Sequence, residues 1–137
     1  MLKVLIAEDD IIIADMIEDR LVSDGFIVCG IACNIAEAVS LAVQEKPDVA
    51  IVDVRLADGD LGTDLAVRLR ELDGDLGILY ATGNVEAVLG HSVGEACLRK
   101  PFKAAALAPA LRLVVNKLRT GQLRCPVPDG LILLSAA

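Results

Sequence analysis

The stretch VAIVDV, residues 49–54, decides the fold. Four apolar residues, Val49 to Val52, run without alternation and then meet a carboxylate, Asp53. Such a run after Pro47-Asp48 reads as a strand buried on both faces, the pattern of a parallel sheet covered by helices. An ionised group where a buried strand ends calls for a partner or a ligand to offset its desolvation.

The neighbouring segments repeat the pattern. KVLIA (3–7) is a first short apolar run, cut off by Glu8-Asp9-Asp10. Residues 11–24 place Ile13, Met16, Ile17 and Leu21 at helical spacing, with Gly25 as a stop. FIVCGIA (26–32) reads as a second strand, and Asn34 with Glu37 forms a capping-box signature for a helix over 35–45. Asp58-Gly59-Asp60 is a loop, TDLAVRLREL (63–72) a helix, and GILYAT (77–82) a fourth strand. A weak, glycine-broken helix is expected over 84–90, then a strand ACLR (96–99) and a last helix over 104–119, closed by Gly121. Pro109 requires that this helix either start late or kink. Five strands alternating with five helices predict a doubly wound α/β domain, residues 1–119, followed by a tail, 120–137.

Composition agrees. Of 137 residues 55% are hydrophobic and only 2% aromatic, so the core must be aliphatic. A net charge of −7 without a basic stripe argues against nucleic acid. Arg112 interrupts the longest apolar candidate for a membrane span, and the early acids argue against a signal peptide. Cys29, Cys33, Cys97 and Cys125, with the single His91, lack paired metal-ligand spacing; they read as small hydrophobes of a reducing, cytoplasmic protein.

In doubly wound sheets, sites lie beyond the carboxyl ends of the strands. The polar residues that fall there are Glu8 and Asp9 after the first strand, Asp53 after the third, Thr82 at the end of the fourth and Lys100 after the fifth. Each alone has an ordinary reading as a cap, turn or solvated residue; together they make a site. Three carboxylates at about 4 Å repel by roughly 4 kcal/mol per pair at an effective dielectric near 20, so protonation or a divalent cation is required. An all-oxygen donor set with room for waters and phosphate oxygens favours Mg²⁺ over Ca²⁺. A carboxylate nucleophile, a metal and a lysine suit phosphoryl transfer to an aspartate.

VLIAEDD, IVDV, YATG and RKPF, in this order and spacing, resemble the receiver domain of bacterial two-component response regulators over about residues 1–119. The resemblance implies a flavodoxin-like five-stranded parallel sheet of order 2-1-3-4-5 with five helices. It implies Asp53 as acceptor of a phosphoryl group from a sensor histidine kinase or histidine phosphotransferase, and Mg²⁺ held by Glu8, Asp9, Asp53 and the backbone carbonyl of Arg55. Lys100 would contact a phosphoryl oxygen before a cis bond to Pro101. Thr82 would turn toward the phosphoryl group, helped by the backbone N–H of Gly83. Asp10 is expected to cap the first helix. The signal would leave through helix four, strand five and helix five toward a downstream protein target, with residues 83–95 as the mobile element. No DNA-binding output domain or membrane role is expected; a homodimer is left open.

Two departures stand out. Cys97 occupies the position of the family's usual aromatic on strand five, three residues before Lys100. YATG resembles a subfamily marked by Phe-Ala-Thr-Gly, commonly stand-alone receivers of alphaproteobacteria with an altered fourth helix, with Tyr80 replacing Phe. Rival readings are a phosphorylation-independent pseudo-receiver, a phosphate sink, and an aspartate-nucleophile phosphatase. The last needs a second carboxylate two residues after the nucleophile, where Arg55 stands, so only slow autodephosphorylation is expected. The tail, with Leu131 to Leu134 apolar, either folds onto the receiver or docks on a second chain.

Overall fold

The computed structural model describes residues 1–90, 93–121 and 127–134; the expectations for His91 and Cys125 lie outside them. Six strands form one sheet: β1 (Lys3–Ala7), β2 (Ile27–Ala32), β3 (Val49–Val52), β4 (Gly77–Thr82), β5 (Ala96–Arg99) and β6 (Leu131–Leu133). Four α-helices accompany them among the described residues: α1 (Ile11–Ser23), α2 (Ile35–Glu45), α3 (Gly62–Leu72) and α4 (Leu107–Thr120). The order is β2-β1-β3-β4-β5-β6, with the first five strands parallel and β6 antiparallel to β5.

The sheet is covered on both sides, which is why its central strands lack alternation. Val4, Ile6, Ile51 and Leu79 face the cluster beneath α1 and α4, while Leu5, Val52, Ile78 and Tyr80 face that beneath α2 and α3. The strand order reverses between β1 and β3, which opens a crevice at their carboxyl ends.

Local chemistry accounts for the helix ends. Asp10 caps α1 by accepting from the backbone N–H groups of Ile12 and Ile13. Asn34 Oδ1 accepts from Glu37 N, and Glu37 Oε1 accepts from Cys33 N, a reciprocal cap that starts α2 as the sequence predicts. Pro109 needs no kink because α4 starts late, at Leu107. The proline then lies in the first turn, where its missing N–H would have no helical partner anyway.

Two expectations about element count are corrected. Residues 84–90 form no α-helix; a single 3₁₀ turn, Val85–Ala87, stands there. Positive φ angles at Gly90 and Gly94 interrupt the segment. The sheet also carries a sixth strand from the tail: Ala96, Cys97 and Leu98 pair with Leu133, Ile132 and Leu131. The sheet therefore extends beyond the expected boundary at residue 119.

Candidate functional site

The carboxyl ends of β1, β3, β4 and β5 bring Glu8, Asp9, Asp53, Thr82 and Lys100 to one edge. β3 ends at Val52, so Asp53 is the first residue beyond it, and its backbone N–H still donates to Ala7 O at 2.9 Å. That bond locks the Asp53 backbone to β1. Glu8 follows β1 with its own N–H donating to Ala32 O at 3.0 Å, and only 3% of it is exposed. Carboxylate oxygens of Glu8, Asp9 and Asp53 all lie within 4.8 Å of one another.

Lys100 reaches into this group. Its Nζ donates to Glu8 Oε1 at 2.5 Å and to Asp53 Oδ2 at 3.0 Å. One ammonium against three carboxylates leaves the crevice acidic, and the donor atoms are all oxygen, which fits a hard divalent cation. Burial, and then the neighbouring Asp53, push the Glu8 carboxyl up to about 7, with Lys100 acting in the opposite sense. Burial alone would lower the Lys100 pKa, but its bonds to Glu8 and Asp53 raise it overall, so the ammonium stays charged. The Lys100–Pro101 peptide bond is cis, as the resemblance implied.

Thr82 is buried at the end of β4. Its Oγ1 accepts from Asn84 N at 3.0 Å, and its carbonyl accepts from Lys100 N at 2.9 Å. Space lies open at the Cα of Gly83, where an added Cβ would meet nothing within 4 Å. Arg55 lies in the loop after β3 and pairs across it with Leu61. The loop is held from outside by Asn34 Nδ2 donating to Asp58 Oδ2 at 3.1 Å and Ile35 N donating to Asp60 Oδ2 at 2.9 Å.

Two supports escaped the sequence reading. Gly62 opens α3 directly against Asp53: a Cβ there would stand 1.9 Å from the Asp53 carbonyl oxygen. Only a glycine allows this approach, and a glycine opening a helix after an acidic loop was the available signal. The second is a buried network toward the amino ends of β4 and β5. Glu95 accepts two bonds from Arg70 Nη2, at 2.8 and 2.7 Å, and a third from Ile78 N at 2.9 Å. Tyr80, fully buried, donates its hydroxyl to Val93 O at 2.8 Å, and its ring packs against Gly94. Cys97, beside Tyr80 across β4 and β5, is equally buried. Cys29, Cys33 and Cys97 are free thiols.

The sequence profile of the response regulator receiver domain matches residues 4–112. The chain belongs to that family. A curated relative, the transcriptional regulatory protein PdtaR of Mycobacterium tuberculosis, is 34% identical over 120 residues, covering 85% of this chain and 58% of that protein. The chain thus spans little more than half the length of this relative. The receiver domain of a modulated diguanylate cyclase from Desulfovibrio desulfuricans superposes with a TM-score of 0.76 at 28% identity, over 89% of this receiver and 99% of that chain. The response regulator PhyR of Brucella abortus gives 0.77 at 28% identity, over 88% of this receiver and 50% of that chain. Among the described residues, no helix of the receiver is long and apolar enough to cross a membrane.

Proposed function

We propose that the protein is the phosphoacceptor of a His-Asp phosphorelay, and that Asp53 is the residue phosphorylated. The observation that carries this reading is the position of Asp53 just beyond β3, with its carboxylate bonded to the Lys100 ammonium and clustered with the acids Glu8 and Asp9. Glu8, Asp9, Asp53 and the Arg55 carbonyl would hold Mg²⁺, which when bound supplies positive charge to the phosphoryl oxygens. An Asp53 carboxylate oxygen attacks phosphorus, the P–N bond to the donor imidazole breaks, and its electron pair returns to the ring nitrogen. The product is an acyl phosphate. Lys100 exchanges its Asp53 oxygen for a phosphoryl oxygen and stays charged throughout. Thr82 and the Gly83 N–H complete the donors from the β4 side.

A protein donor suits the surroundings. A groove of about 310 Å³ beside the site is lined by Ile13, Met16, Lys100, Pro101 and Phe102. The exposed Ile11 and Ile12 stand at the start of α1 nearby. Such an apolar rim fits a histidine kinase or histidine phosphotransferase, both at work in the cytoplasm. With Arg55 in place of an acid two residues after the nucleophile, the chain signals rather than turns over, and its acyl phosphate hydrolyses slowly. The Tyr80-Ala81-Thr82-Gly83 run and the 3₁₀ turn that stands in place of an α-helix over 84–90 support membership in the Phe-Ala-Thr-Gly subfamily, and the likeness to the response regulator PhyR supports a downstream target.

Incubation with Mg²⁺ and acetyl phosphate is expected to add one phosphoryl mass to the wild type and none to Asp53→Ala. A label that persists in the variant would place the acceptor elsewhere.

A further inference from the structure

The β5 edge is occupied by the chain's own β6, and the seat is built for a strand. Arg99 N donates to Gly130 O at 2.9 Å, and Leu134 N donates to Glu95 O at 3.0 Å, so backbone pairing runs past both ends of β6. Lys117 Nζ on α4 donates to Leu134 O at 2.6 Å and to Glu95 O at 3.1 Å, clamping the end of the strand. Leu131 and Leu133 pack with the α1/α4 side of the core, Ile132 and Leu134 with the α2/α3 side. An occupant must therefore be aliphatic on both faces and extended.

β6 is nevertheless weakly owned. It is three residues long and, among the described residues, lies at the sheet edge beside the single strand β5. Its first anchor adjoins the site: Arg99 N points to Gly130, while the next amide, Lys100 N, points to Thr82 O. A rearrangement of Lys100 and Thr82 thus acts on the residue next to the one that holds β6. A vacated sheet edge binds extended segments through main-chain hydrogen bonds, with side-chain pockets giving selectivity.

We propose that β6 is an exchangeable occupant, and that the downstream partner donates an extended aliphatic segment that takes its place antiparallel to β5 once Asp53 is phosphorylated. This rests on the phosphoacceptor reading. A net charge of −7 makes two copies repel, which favours a foreign strand over one from a second copy.

The test uses the full chain, treated with acetyl phosphate and Mg²⁺ and checked by intact mass. Amide exchange is followed at Leu131–Leu134, with a fluorescent peptide of residues 127–134 as probe. In labelled protein, exchange should quicken and peptide binding tighten by about tenfold. Ile132→Asp and Leu134→Pro, which weaken β6 and leave its seat intact, shown folded by near-ultraviolet dichroism, should bind the peptide without phosphorylation. Unlabelled protein would sink the phosphoacceptor reading, and the two variants would still decide the seat. Labelled protein with unchanged protection, folded variants that ignore the peptide, or dimerisation with β6 still protected would each overturn the proposal.

Discussion

Lys100 holds two acids that a metal also needs, so its removal has opposite effects on binding and on chemistry. In Lys100→Met, Glu8 and Asp53 lose their cation, and Mg²⁺ affinity should rise. Labelling by acetyl phosphate should slow by about 100-fold, the usual cost of losing one preorganised donor. Titration calorimetry and intact-mass kinetics read the two effects separately; parallel loss of both would mean that Lys100 merely holds the fold. Behind the site, burial pushes the Cys97 thiol up to about 11 and raises the Tyr80 hydroxyl above its ordinary range. In the unfolded chain both release protons at lower pH, so alkali favours unfolding. Stability is full below about pH 8.5 and falls by up to about 1.4 kcal/mol per pH unit as Cys97 is forced toward ionisation, with Tyr80 adding to the loss above about pH 10. Urea midpoints across this range should show the decline, and Cys97→Ala should lessen its first part, to which the raised thiols of Cys29 and Cys33 also contribute.

At the scale of elements, the described residues of the 83–95 segment are held without an α-helix. The Arg70–Glu95 pair ties α3 to the start of β5, and Tyr80 ties β4 to Val93. Glu95→Ala leaves a guanidinium and the Ile78 N–H without their partner, and should cost about 3 kcal/mol in urea denaturation. Gly62→Ala forces α3 away from the Asp53 carbonyl; a loss of about 2 kcal/mol and weaker Mg²⁺ binding are expected, read by the same two measurements. The elements were unequally legible. Strand ends that carry an acid, a threonine or a lysine after apolar runs announce themselves, because burial tolerates such groups only at an edge. A weak, glycine-broken helix is the expectation for 84–90, yet glycines at positive φ and a tyrosine ring seated on Gly94 give that backbone a different course. Those are contacts between distant residues, which periodicity does not encode. β6 escaped for the same reason: LILL is too short to carry a period, and only its fit on β5 and Lys117 makes it a strand.

At the scale of the whole molecule, one sheet separates two aliphatic cores, and both run past β5 to the β6 segment. The family match stops at residue 112, inside α4, while the sheet closes only at Leu133. The folding unit and the recognisable unit are therefore different lengths of chain. A protein shortened to the end of α4 would keep every residue of the acidic crevice. It would also present β5 as a bare row of amides and carbonyls flanked by leucine and valine, the arrangement that lets sheets join into aggregates. Such a fragment should still accept a phosphoryl group when fresh and dilute, but cloud on concentration where the intact chain stays clear. Three residues near the end of the chain thus act as its selvage, the finished border that keeps a sheet from being sewn to its neighbour.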